Sequence, residues 1–221
     1  MIVSSFDSNI LDLTLYQWDT LFVVCNTRNN VNSLFSSLYE LKYSFNDYVL
    51  CCGNFFNFEF DDFQKLEETY EIIFQIPNLV VLQGQQEYEF VNNIESILTK
   101  IPKCYYRLLS QLYGYCNVMP VVCKISDSTY CTSGGIVPVK GWQNYSRDTF
   151  VNIKTRQETP IFYKSLPEDV NEWYQYNKEI SDKIIFPSSI TKFVPLGIGI
   201  DDNTIVIYNR KDCSYTLYHK E

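Results

Sequence analysis

Alanine is absent from this chain of 221 residues, and histidine occurs once, at His219. The missing alanine, set beside abundant Asn, Tyr, Ile and Phe, is what an A- and T-rich genome produces and points to a virus or a parasite as the source. The shortage of histidine carries more chemistry. Imidazole is the usual acid–base group near neutral pH and the commonest ligand of transition metals, so a Ser-His or Cys-His nucleophile or a zinc centre is not expected. Cys131 and the run Ser133-Gly-Gly135 accordingly lack a base for acyl transfer. Basic residues are also few: 18 Lys plus Arg against 26 Asp plus Glu leave a net charge of −8, with no positive field to gather phosphate backbones. Nucleic acid is therefore not expected as a partner. No apolar run approaches the ~18 residues of a membrane span. Met1–Asp7 has neither the basic nor the apolar part of an export signal. The expectation is an intracellular protein, cytoplasmic or nuclear, neither secreted nor membrane-bound.

What is present is apolar and aromatic. At 46% hydrophobic and 16% aromatic residues the chain can bury one sizeable core, and residues 1–221 read as a single domain. Eight cysteines lie mostly inside apolar runs such as Tyr48-Val-Leu-Cys-Cys52 and Val121-Val-Cys123, with no CxxC pair, and read as reduced, buried hydrophobes. Asn144-Tyr-Ser146 matches a glycosylation acceptor, but without an export signal it carries no weight.

Strand-like and helix-like patterns alternate. Thr20–Cys25, Tyr48–Cys52 and Leu79–Leu82 are short apolar runs of the buried-strand kind. Helical spacing follows each: Leu34, Phe35, Leu38 and Leu41 in Asn32–Tyr43; Phe63, Leu66, Tyr70 and Phe74 in Asp61–Gln75; then Tyr88–Tyr115, broken at Pro102. From Met119 the character changes to a hairpin, Val121–Ile125 and Thr129–Cys131 around Ser126-Asp-Ser128. Residues 139–183 show little periodicity apart from a short helix expected at Glu168–Glu179. Four closing strands are expected at Lys183–Phe186, Lys192–Ile200, Thr204–Tyr208 and Ser214–Tyr218, with a turn at Asp201-Asp-Asn203.

In an α/β sheet, ligands bind at the strand ends, so the loops after the strands hold any chemistry. Four stand out: Cys25-Asn-Thr-Arg-Asn29, Gly53-Asn-Phe-Phe-Asn-Phe-Glu59, Gln83-Gly-Gln-Gln-Glu87 and Cys131-Thr-Ser-Gly-Gly-Ile-Val-Pro138. Their order and spacing resemble the metal-dependent serine/threonine phosphatases of the calcineurin-like metallophosphoesterase superfamily, whose loops read GDxHG, GDxxDRG, RGNHE and HGGxxP. The resemblance covers about residues 20–138 and leaves 139–221 as a trimmed, divergent part. It implies an α/β sandwich with mixed central β-sheets and helices outside.

The ligand types that the resemblance would require are replaced throughout. The positions of the metal-binding Asp and His fall on Asn26 and Arg28, those of the bridging Asp and the following Asp on Asn54 and Asn57, and that of the phosphate-clamping Arg on Phe58. The ligating Asn and the general-acid His fall on Gln85 and Gln86, and a ligating His on Ser133, while Gly53, Gly84, Glu87, Gly134, Gly135 and Pro138 are retained. Neutral amides are poor substitutes for carboxylates and imidazoles around two cations, and Arg28 would bring a fixed positive charge. The resemblance and its losses therefore imply an inactive pseudophosphatase with no metal, no cofactor and no catalytic residue. Its role would be that of a protein-binding or structural component, with a protein partner or a second copy of itself.

Two alternatives remain open in the sequence. Arg28, with backbone amides of the glycine turns, could hold a phosphate or phosphopeptide, or it could pair with a carboxylate or point to solvent. A residual phosphoesterase could use a non-standard metal site built on Asp61, Asp62 or Glu87. Phe55, Phe56, Phe58 and Phe60 either fill the vacated cavity, as expected for at least two of them, or face a partner. The aromatics of Trp142–Tyr145 and Trp173–Tyr176 would also suit an interface.

Overall fold

A computed structural model describes residues 10–58, 63–133, 183–188, 192–194 and 197–220. The apolar runs become strands: β1 (Ile10–Asp12), β2 (Thr20–Val24), β3 (Tyr48–Cys51), β4 (Leu79–Val81), β5 (Val122–Lys124), β6 (Thr129–Thr132), β7 (Lys183–Pro187), β8 (Lys192–Val194), β9 (Gly197–Ile200), β10 (Thr204–Asn209) and β11 (Tyr215–His219). The helices are α1 (Val31–Glu40), α2 (Phe63–Ile73), α3 (Gln85–Leu98) and α4 (Tyr106–Asn117), with single 3-10 turns at Leu13–Leu15 and Lys103–Tyr105. One sheet has the order β1-β5-β6-β7-β9-β8 and the other β11-β10-β2-β3-β4, both of mixed direction.

Strict alternation along β2, β3 and β4 explains why their sequences are continuous apolar runs. Phe22, Val24, Val49, Cys51, Leu79 and Val81 point into the core shared with the helices, where Leu34, Leu38, Leu66, Phe90 and Leu109 meet them. Leu21, Val23, Tyr48, Leu50 and Val80 point the other way, into a second core against Cys123, Cys131, Ile185, Ile198 and Ile200 of the facing sheet. A strand covered on both faces has no position left for a polar side chain. β2, β3 and β4 run parallel, so the loops that leave them gather at one end of the sheet. That end holds the candidate site.

Several boundaries differ from the sequence expectation. β1 has no periodic signal; three residues suffice because the strand pairs in parallel with β5. Lys192–Ile200 is two antiparallel strands, β8 and β9, rather than one. Helix α2 stops at Ile73, leaving Phe74 exposed on the surface. Helix α3 begins at Gln85, so Gln85 and Gln86 are its first residues instead of loop. Six cysteines are buried thiols as expected, while Cys104 and Cys213 are exposed. Among the described residues, no helix is long and apolar enough to cross a membrane. The helix expected at Glu168–Glu179, the aromatics of Trp142–Tyr145 and Trp173–Tyr176, Gly134, Gly135, Pro138, Phe60, Asp61 and Asp62 lie outside the described residues.

Gly114 sits inside α4 with open space where a Cβ would go. Gly114→Ala is expected to stabilise the chain by about 0.5–1 kcal/mol, because alanine loses less backbone freedom in a helix. An upward shift of the midpoint in urea unfolding checks this, and a downward shift would mean that the helix surface there is not open.

Candidate functional site

Three strand-to-helix connections converge at the carboxyl ends of β2, β3 and β4. Their close approach depends on two glycines. Gly53 adopts φ +82°, and a Cβ there would lie 2.7 Å from the Gly84 Cα and 2.9 Å from the Ser133 Cβ. A Cβ on Gly84 would lie 2.3 Å from the Asn54 backbone nitrogen and 2.8 Å from Glu87 Oε2. The second and third loops thus touch through backbone, and the fourth reaches Gly53 through the Ser133 side chain. Asn26, Arg28, Asn29 and Asn54 also hold positive φ, between 47° and 63°, a region asparagine tolerates better than most residues.

Glu87 joins these loops. It is fully buried, and its carboxylate accepts hydrogen bonds from the backbone N–H of Gly84 (2.9 Å), Asn54 (3.0 Å) and Phe56 (3.0 Å). The first of these is the reach-back of a third helical residue to the N-cap, since Gly84 offers no capping side chain of its own. Burial raises the Glu87 carboxyl above its usual 4.5, against these bonds, which lower it.

A chain of carboxamides crosses the mouth of the cleft. Asn26 Nδ2 donates to Asp202 Oδ1 (2.8 Å), Asn54 Nδ2 donates to Asn26 Oδ1 (2.9 Å), and the Gln86 backbone N–H donates to Asn54 Oδ1 (3.1 Å). Asn29 clamps Asn57 through Nδ2 to its carbonyl (2.9 Å) and Oδ1 to its N–H (3.1 Å). Backbone bonds run beside them from Asn26 N to Gly53 O (3.2 Å), Arg28 N to Asn54 O (3.0 Å) and Asn29 N to Phe55 O (3.0 Å). Asp202 comes from the β9–β10 turn, which Cys25 Sγ holds by donating to the Ile200 carbonyl (3.0 Å). Lys220 holds the same turn through Nζ to the Asp202 carbonyl (2.7 Å) and its own N–H to Asn203 O (2.8 Å).

The structure therefore brings Asn26, Asn54 and the Gln86 backbone into direct contact. Phe58, Asn57 and the Gln86 side chain line a neighbouring groove of about 290 Å³ whose floor is the Phe58–Phe90 ring stack, 4.1 Å between centroids. Phe55 and Phe56 are fully buried in the core beneath, in edge contact with each other. Gln85 turns along the helix surface to Glu89 (2.7 Å), and Arg28 is exposed. Ser133 is buried against Gly53, and among the described residues its hydroxyl has no hydrogen-bond partner. Sequence reasoning misses Asp202 and Lys220: the acidic residues after Ile200 carry only a turn signal, and Lys220 lies in a segment with no motif.

Neither a protein-family model nor a curated protein matches the sequence. Solved structures do match in fold. A protein serine/threonine phosphatase from Saccharomyces cerevisiae superposes with TM-score 0.61 at 12% identity, covering 96% of this chain and 82% of that one. A metallophosphoesterase from Sphaerobacter thermophilus gives 0.55 at 9% identity (91% and 88% covered), and a cold-active protein-tyrosine phosphatase from a Shewanella species gives 0.57 at 12% (95% and 82% covered). The fold is thus of the metallophosphoesterase type.

A fold of that type implies two bridged cations, and the described residues do not fit them. Asn26 and Asn54 carry no charge, and their carboxamide oxygens already accept hydrogen bonds, Asn26 Oδ1 from the Asn54 side chain and Asn54 Oδ1 from the Gln86 N–H. Both oxygens of Glu87 are taken by backbone N–H groups. The amides that would cradle an anion beside Arg28 are spent as well, on Asn54 O, Phe55 O and Glu87.

Glu87→Gln leaves an amide facing three buried N–H donors of which it can satisfy only those on its oxygen side, and is expected to cost about 1–3 kcal/mol in thermal unfolding. The folded chain holds the Glu87 proton more tightly than the unfolded one. Its contribution is then fully present below the unfolded value near 4.5 and is lost as the pH rises through the folded value. The Tm deficit of the variant should shrink as the pH rises above the unfolded value near 4.5; a deficit that grows would show that ionisation favours the fold. Gly84→Ala, whose Cβ meets backbone rather than a flexible side-chain end, is expected to lose about 1–3 kcal/mol in the same assay. Wild-type stability in that variant would mean that the loops are free to separate.

Proposed function

We propose that this metallophosphoesterase-type chain is a catalytically inactive pseudophosphatase that serves as a protein-binding or structural component of an assembly. The observation that carries the reading is the chain Asp202–Asn26–Asn54–Gln86, in which carboxamides bonded to one another occupy the ground a two-metal site needs for carboxylates and imidazoles. Without cations there is no Lewis acid for the phosphoryl oxygens and no acidified water. Gln86, in the position of a general acid, has no proton to give near neutral pH. The groove beside it offers stacked phenylalanines, neutral amides and the acidic Glu89, a surface suited to contact with a protein segment rather than to holding a phosphate.

The test is elemental analysis of the full chain purified in excess manganese, with a phosphatase assay on phosphopeptide and p-nitrophenyl phosphate using the same sample. Manganese well below one per chain and turnover equal to buffer are expected. Close to two metals per chain, or turnover abolished by a chelator, would overturn the reading.

A further inference from the structure

At the opposite end of the sheets, three loops line a half-open cavity of about 200 Å³ whose walls include Ser126, Tyr208, Arg210 and Cys213. Its distance from the amide cleft follows from the register: Asn209, at the end of β10, pairs with Thr20 at the start of β2, whereas the cleft lies past Val24 at the other end of that strand. Arg210 is fixed there by the fold. Its guanidinium donates to the Tyr16 carbonyl and to the Thr14 carbonyl (3.2 Å) and lies over the Trp18 ring at 5.2 Å. Two of its five N–H donors are thereby used. Among the described residues Arg210 pairs with no carboxylate; Asp127, at the cavity rim, is taken by Lys124 at 3.2 Å, and Asp212 accepts from the Ser214 N–H (3.0 Å).

Tyr208 supplies the second, independent observation. It is 1% exposed, and among the described residues no group closes a well-aligned hydrogen bond to its buried hydroxyl: the hydroxyls of Ser126 and Thr129 approach it as donors, and its nearest acceptor is the weakly accepting Cys213 sulfur. A buried hydroxyl left with poorly aligned partners and a weak acceptor is costly, and in native proteins it calls for an occupant or a role. Burial raises its pKa, so the phenol remains a donor. A fixed guanidinium with spare donors, beside a phenolic donor whose nearest acceptor is a weak thiol sulfur, is the chemistry of an oxyanion site.

We propose that this cavity binds a small oxyanion, a carboxylate or an inorganic phosphate. The anion pairs with the Arg210 guanidinium and reaches the Tyr208 hydroxyl when the exposed Cys213 thiol, which turns about a single bond, rotates off it. The site is separate from the former metal cleft and stands whether or not the chain is a pseudophosphatase.

The experiment is thermal unfolding of the full chain in chloride, acetate and phosphate at matched ionic strength, for wild type, Tyr208→Phe and Arg210→Gln. A Tm that climbs with acetate or phosphate concentration is expected; a rise in both identifies a carboxylate-sized site, and a rise in phosphate alone a phosphate site. Tyr208→Phe keeps the ring against Trp18, so it should be at least as stable as wild type in chloride, yet bind the anion about tenfold more weakly. Arg210→Gln should lose the response; where that variant is too unstable to read, the phenylalanine variant alone decides. Equal Tm values in all three salts would overturn the proposal, as would an undiminished response in Tyr208→Phe, the mark of an adventitious surface ion only. A phenylalanine variant less stable in chloride would overturn it too, since the phenol would then have its partner within the fold.

Discussion

A carboxylate cut off from solvent has to find its hydrogen bonds inside the protein, and Glu87 finds three in the backbones of the two loops it joins. Desolvation makes a lone buried charge expensive, so this arrangement holds only while Gly84, Asn54 and Phe56 stay where they are. The constraint works in both directions. Glu87 fixes the loops, and the loops, by approaching within backbone contact at Gly53 and Gly84, create the buried pocket that Glu87 needs. Everything else at this end of the sheet is arranged around that joint, including the left-handed asparagines, the carboxamide chain to Asp202 and the filling of the interior by Phe55 and Phe56.

The carboxamide chain ties the loops of the cleft by hydrogen bonds between side chains and backbone. Two cations would tie the loops together by attraction to several acidic and imidazole ligands. In this chain the tie is made by donors and acceptors in matched pairs, Asn54 to Asn26 and Asn26 to Asp202, which need no external ion to neutralise them. An amide can both donate and accept, which suits a chain of contacts and does not suit a cation. The fixed cation at the far end of the sheets, Arg210, is held by carbonyls and an aromatic face instead of by a carboxylate, and so remains available to an anion.

The strands and helices that carry the cleft are legible in the sequence because their burial is complete. Tyr48–Cys51 is apolar at every position since both faces are covered, and Leu34, Leu38 and Leu66 mark their helix faces plainly. β1 is not legible, because a three-residue edge strand is defined by its partner β5 rather than by its own pattern. The start of α3 is hidden for a related reason: its N-cap is a glycine, and the cap is supplied from the third helical position by Glu87. Motif spacing places Asn26, Asn54 and Gln86 in one cleft. Their bonds to one another, and the part of Asp202, depend on a turn 176 residues beyond Asn26 and cannot be read from spacing.

Amide hydrogen exchange of the full chain in the presence of a chelator measures most directly whether hydrogen bonds alone hold these loops. The N–H groups of Asn54, Phe56, Gly84 and Gln86 are expected to exchange as slowly as those of the central strand β3 and to keep the same protection when manganese is added. Rapid exchange of these four amides in chelator, slowed by added metal, would show that the loops depend on a cation and would contradict the central role of Glu87 and the asparagines.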